Sequence, residues 1–128
     1  MTKKKSFVIN RKKWYRGHGG GYGQMKENYS SLLREDGQMC CLGFFAKSIC
    51  KLNNKKILNM GAPSDLAEKF TIFPEWFFDM GSNLGFDKSL DLHTLLRIND
   101  NSVVGDEVRE NVIKHIFKAH GIDVKFIG

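Results

Sequence analysis

The chain has 128 residues, a formal charge of +6, ten Phe and two Trp, enough apolar side chain to bury one core without disulfides or metal. No apolar run approaches the ~20 residues that span a bilayer, and the basic start MTKKKSFVINRKK leads into no apolar stretch, so neither a membrane span nor a signal peptide is expected. Three cysteines, two of them adjacent, make no disulfide framework and point to reduced thiols in the cytoplasm.

The charge is unevenly placed. Residues 1–26 carry Lys3, Lys4, Lys5, Arg11, Lys12, Lys13, Arg16 and Lys26 with no carboxylate, and the other twelve cations are outnumbered by fourteen acids. A localised basic stretch suits phosphates on a nucleotide or a nucleic acid, or else is a solvated tail. It argues against mimicry of DNA, which needs an acidic surface. The expectation is one domain over residues 1–128, with 1–6 as a flexible basic tail.

Phe7–Ile9 reads as a short strand, and Asn10 as the N-cap of a short helix RKKWYR that ends at Gly17. Trp14 and Tyr15 anchor that helix on the core or offer a stacking face. Five glycines (Gly17, Gly19, Gly20, Gly21, Gly23) come next within seven residues. Such a loop either flexes or brings backbone N–H groups close to a phosphate, although neither GxxxxGK[ST] nor GxGxxG is present.

Tyr29–Arg34 reads as a strand or edge segment, closed by Glu35-Asp36-Gly37. Leu42, Phe45, Ala46, Ile49 and Leu52 keep a helical period, which favours a helix over a returning strand and puts Cys40 and Cys41 in its first turn. Gly43 inside that helix costs about 1 kcal/mol relative to Ala, so it marks a close packing contact. Lys51–Lys56 is a polar exit. Ser64 caps a short helix DLAEKF, and Pro74 opens another before Trp76, Phe77 and Phe78, which close the core.

Ser89–Ile98 predicts a helix with Leu92, Leu95 and Leu96 on one face, stopped by Asn99-Asp100-Asn101 through local side-chain hydrogen bonds. Asp106–His120 is the strongest helix, with an apolar stripe of Val108, Val112, Ile116 and Ala119 and a stop at Gly121. The closing IDVKFIG alternates as a half-buried strand. The expected architecture is α+β: a compact single domain of four to five helices with a small antiparallel sheet.

The order of motifs resembles small uncharacterised proteins of bacteriophages and prophages. The resemblance is carried by Trp14, Arg16, Gly17, Gly19, Ser31, Leu32, Leu33, Gly37, the run Met39–Phe44, Pro74, Trp76, Asn99, Asp100 and Gly121–Ile127. It implies a phage source and action in the host cytoplasm, and it assigns no activity.

Three chemistries are open to these residues. A thiol enzyme would use Cys40 or Cys41, activated by a helix N-terminus, with His93, His115 or His120 as base and Asn99 or Asp100 orienting it. The blander reading makes both cysteines small buried hydrophobes. Zinc has no support, since there is neither CxxC nor paired His spacing, and no cofactor is implied. A binding site would gather Trp14, Arg16, Gly17, Gly19, Tyr22, Ser31, Asn99 and Asp100, with Arg16 and the glycine N–H groups on a phosphate. The competing reading pairs Arg16 with an acidic residue. The expected function is therefore an accessory phage binding protein directed against host defence. Its partner would be a phosphate-containing nucleotide signal or a host defence protein. Nucleic-acid binding is the alternative, a cysteine-dependent enzyme the second, and a homo-oligomer stays open.

Overall fold

The structure, a computed structural model, describes residues 5–17, 31–63, 66, 69–77 and 90–128. Strand β1 (Lys5–Asn10) buries Phe7 and Ile9 and turns the residue between them outward, the period-2 pattern of a sheet with one wet face. It begins at Lys5, so Lys5 and Ser6 belong to a strand rather than to a tail. Asn10 caps the next turn by accepting from Lys12 N, yet only a 3-10 turn, Arg11–Lys13, forms there. The expected RKKWYR helix stops early because Lys13 and Tyr15 pair with Met39 in extended conformation: Met39 N donates to Lys13 O at 2.9 Å and Tyr15 N to Met39 O at 2.8 Å.

Strand β2 (Ile122–Ile127) pairs with β1 in parallel, from Lys5 opposite Ile122 to Asn10 opposite Ile127. This overturns the antiparallel sheet expected from sequence. Alternation identifies a half-buried strand but carries no direction. A parallel pair needs a crossover of a dozen residues or more, and the chain from Arg11 to Gly121 supplies it. The segment ending at Arg34 contributes only the isolated bridge Leu33–Leu58, not a strand. Its first residues, Tyr29 and Ser30, lie outside the described residues.

Among the described residues five α-helices lie between the strands: α1 (Cys41–Ser48), α2 (Asn54–Ile57), α3 (Lys69–Ile72), α4 (Leu90–Asp100) and α5 (Asp106–Ala119). The polar exit after α1 thus folds into α2, because Asn53 caps it by accepting from Lys56 N. Pro74 leads into a 3-10 turn, Glu75–Phe77. Phe78, Ser64 and three residues of the DLAEKF segment, Asp65, Ala67 and Glu68, lie outside the described residues.

Helix α1 is buried from Cys41 to Ala46, on all sides rather than along one stripe. Gly43 makes that possible: a Cβ there would stand 1.8 Å from Leu32 O. The close contact expected of this glycine is present, and it is with backbone. Around α1 the core is aromatic. Phe45 lies 5.7 Å from Phe7 and 5.4 Å from both Phe77 and Phe117, ring centre to ring centre.

Helix α5 is turned relative to its expected stripe. Arg109, Ile113, Ile116 and Phe117 face inward, whereas Val108 and Ala119 are exposed. Phe117 meets Phe7 at 5.1 Å, and aromatic packing outweighs the smaller valines in setting the rotation. Among the described residues no helix is long and apolar enough to cross a membrane.

Candidate functional site

Helix α1 begins on Cys40, whose thiol is a poor cap for the orphan N–H groups of a first turn. The missing oxygen comes from far along the chain. Asn99, 1% exposed in the last turn of α4, accepts from Cys41 N at 2.9 Å and from Trp14 Nε1 at 2.8 Å through one Oδ1. Its Nδ2 donates to Tyr15 O and to Asp100 Oδ1, both at 3.0 Å, and its own carbonyl accepts from Gly17 N at 2.8 Å. One amide side chain therefore joins the arm 14–17, the start of α1 and the end of α4. Asn99 was expected to stop its helix through local bonds; instead the helix runs on to Asp100, and the local turn is made by Asn101, whose Oδ1 accepts from Val103 N and Val104 N.

A second buried polar group completes this knot. Arg109, 3% exposed, donates from Nε to Ile98 O at 3.0 Å and from Nη2 to Asn101 O at 2.6 Å and Val104 O at 2.9 Å. It thus satisfies carbonyls at the end of α4 and in the turn beyond, which have no helical partner. Its Nη1 donates to Asp106 Oδ1. Gly17 lies over the guanidinium at φ +72°, and a Cβ would stand 3.1 Å from Nη2. A residue with a side chain is therefore doubly disfavoured there.

Arg16 takes the paired reading. Its Nε and Nη2 donate to the two carboxylate oxygens of Asp106 at 3.0 and 2.9 Å, and Nη1 donates to the carbonyls of Arg11 and Trp14. The guanidinium also lies 4.5 Å from the Trp14 ring centre. Hydrogen bonding from Arg16, reinforced by its charge and that of Arg109, holds the Asp106 carboxyl below the ordinary range. Asp106 and Arg109 are the residues that sequence reasoning missed. The available signal was the spacing of Arg109 with Ile113, Ile116 and Phe117, which puts a cation on the buried face.

The remaining expected site residues divide. Trp14, Arg16, Gly17, Asn99 and Asp100 come together in the knot. Ser31 adjoins it through backbone, accepting from Cys40 N at 3.0 Å. Gly19 and Tyr22 lie outside the described residues. Trp14 and Tyr15 are buried, with the Arg34 guanidinium 3.7 Å above the Tyr15 ring, so neither offers an open stacking face.

The cysteines sit in the core. Burial pushes the Cys40 thiol up to about 12 although the Gly43 N–H favours its thiolate, and burial holds Cys41 well above its ordinary value. The helix N-terminus is outweighed by desolvation. Cys41 Sγ is 3.9 Å from Leu95 O. Half-buried Cys50 is raised to about 11, again by burial. His120 stacks on Trp76 at 3.8 Å and meets Asp91 Oδ2 at 2.7 Å, while His93 and His115 are exposed. Among the described residues no histidine is bonded to a cysteine, and no cluster of three or more His, Cys, Asp or Glu could hold a metal.

A different surface lies where the two strands end. Lys114 Nζ and Arg11 Cζ lie 5.6 and 5.8 Å from the Phe126 ring centre, and Lys12 Cγ is 3.6 Å from the position of a Cβ on Gly128. Lys118 lies one helical turn beyond Lys114, whereas Lys125 stands on the wet face of β2, opposite the face that carries Phe126. Arg11 is neutralised by Glu110 at 2.7 and 2.8 Å, which also raises its pKa. Lys12, Lys13, Lys114, Lys118 and Lys125 are exposed, and no ion pair among the described residues holds them.

The chain matches no family model, no curated protein and no solved structure.

Proposed function

We propose that this chain is an accessory binding protein of phage type whose ligand carries phosphate, and that it acts against host defence by capturing that ligand. The division of the cations supports this reading. Arg11, Arg16, Arg34 and Arg109 spend their charge on Glu110, Asp106, Asp36 and Asp106 within the fold, while the lysines at the end of the strand pair keep theirs for solvent. Arginine's planar fork matches carboxylate and phosphate alike, but these four forks are already engaged, and an exposed lysine offers a point charge that suits phosphate. Burial of both adjacent thiols favours binding over nucleophilic catalysis.

A thermal-shift series with cyclic nucleotides, ADP-ribose derivatives and short nucleic acids tests it. Stabilisation by at least one of these, removed by raising salt, is expected. No shift with any of them would sink the reading.

A further inference from the structure

We infer that α5 is the contact between two copies of this chain, packed antiparallel about a two-fold axis through an apolar stripe that the core leaves outside. Arg109, Ile113, Ile116 and Phe117 turn inward, and a second line of side chains runs along the same helix. Val108, Val112, His115 and Ala119 follow at steps of four, three and four residues, the spacing of a seam between paired helices. At about 100° per residue they fall within an arc of about 60°. Val108 is 52% exposed, His115 and Ala119 are exposed, and Val112 is only partly buried. A lone exposed valine means little. A helix with apolar residues on two sides is built to be covered on both.

The charges beside the stripe select the occupant. Glu107, Asn111 and Lys118 line one flank of it, all exposed, with the acid near the N-terminal end and the cation near the C-terminal end. Neither Glu107 nor Lys118 has an ion pair among the described residues. A parallel copy would bring the two acidic ends together and the two basic ends together. An antiparallel copy aligns Val108 with the second copy's Ala119 and Val112 with its His115. It also sets Glu107 beside the other Lys118, twice over. The patch is thus complementary to itself, as a two-fold interface requires. At 14 residues the helix is about 21 Å long, so the face is narrow and the dimer a weak one, with a dissociation constant of about 10 to 100 μM. The pairing engages Lys118 and leaves Lys12, Lys13, Lys114 and Lys125 to solvent, so it does not depend on a phosphate ligand.

The test is sedimentation equilibrium of the full chain from about 5 to 500 μM, a range that brackets such an affinity, at a low salt of about 50 mM. The mass should rise from 14.6 kDa toward twice that value. Val108→Lys should raise the dissociation constant at least tenfold, because it puts a charge in the seam beside the other copy's Lys118. Glu107→Lys and Lys118→Glu should each raise it about tenfold, since symmetry makes one reversal act at two contacts. Mixed in equal amounts, these two charge variants should associate within about threefold of the wild type, because every clash becomes an attraction. Lys55→Gln on α2 should change nothing, and circular dichroism melting checks that each variant is folded. If a charge variant is unstable, the wild-type series and Val108→Lys still decide. A wild-type chain that stays monomeric at the highest concentration overturns the inference, and so does a Val108→Lys chain that dimerises like wild type. A mixture that associates no better than its components overturns it too, because the antiparallel pairing is then wrong.

Discussion

The polar knot around Asn99 and the lysine-lined end of the strand pair use polar groups in opposite ways. In the knot the donors and acceptors of the arm 14–17 and of the helix ends are matched inside the protein, by Asn99, Arg109 and Asp106. At the strand ends the lysines face solvent, without an ion pair among the described residues. Buried polar groups are costly unless satisfied, and once satisfied they fix one arrangement of the chain. Exposed lysines contribute little to the fold and are free to meet a ligand. The residues that look most functional in sequence, Trp14, Arg16, Gly17, Cys41 and Asn99, belong to the first kind.

Four substitutions and one labelling experiment would sharpen or break that contrast. The largest effect is expected at Gly43, where a methyl group meets the Leu32 carbonyl at 1.8 Å. The atoms it meets are the Leu32 backbone and the Met39 Cβ, neither of them the far end of a flexible side chain, so Gly43→Ala should cost more than about 3 kcal/mol and give little folded protein on expression. Asn99→Ala comes next. It strands the Trp14 and Cys41 donors and the Tyr15 carbonyl, and urea unfolding should show a loss of about 3 kcal/mol. A loss under about 1 kcal/mol would mean that water replaces the amide.

The Asp106 pairings are partly solvated and should contribute less, under about 1 kcal/mol. Because the folded carboxyl is depressed, its contribution is complete above the ordinary value of 3.8 and is lost as pH falls through the lower folded value. Denaturation curves of wild type and Asp106→Asn should therefore differ by a constant amount near neutrality and converge in acid. A difference that grows in acid has the wrong sign. The smallest signal is expected from thiol labelling. With Cys40 raised to about 12 and Cys50 to about 11, iodoacetamide at neutral pH should leave the folded protein unmodified and label all three cysteines in urea. Rapid labelling of Cys40 or Cys41 in the folded state would restore the thiol enzyme.

Much of the architecture was legible because it rests on local periodicity. Helices α1, α4 and α5, the capping role of Asn10 and the alternation of β2 all depend on residues within a few positions of each other. The direction of the sheet was not legible, since side-chain alternation is the same in parallel and antiparallel strands. Nor was the rotation of α5, where Val108 and Val112 form as good a stripe as Ile113 and Phe117 until Phe7 arrives from the other end of the chain. At the site, sequence reasoning put Trp14, Arg16 and Asn99 into one group, and the fold joins them. It did not reveal that Asp106 holds Arg16 or that Arg109 is buried. Both depend on a contact between the arm 14–17 and α5, some 90 positions apart, which no local pattern encodes.

The separation of knot from ligand surface is tested most directly at Arg16, the one knot residue with both a cation and partial exposure. In the thermal-shift series a phosphate ligand that stabilises the wild type should stabilise Arg16→Ala by a comparable amount, because Asp106 already neutralises that guanidinium, while urea unfolding shows a modest loss of stability. A folded Arg16→Ala protein that loses binding tenfold or more would contradict the account and return the knot to the binding site.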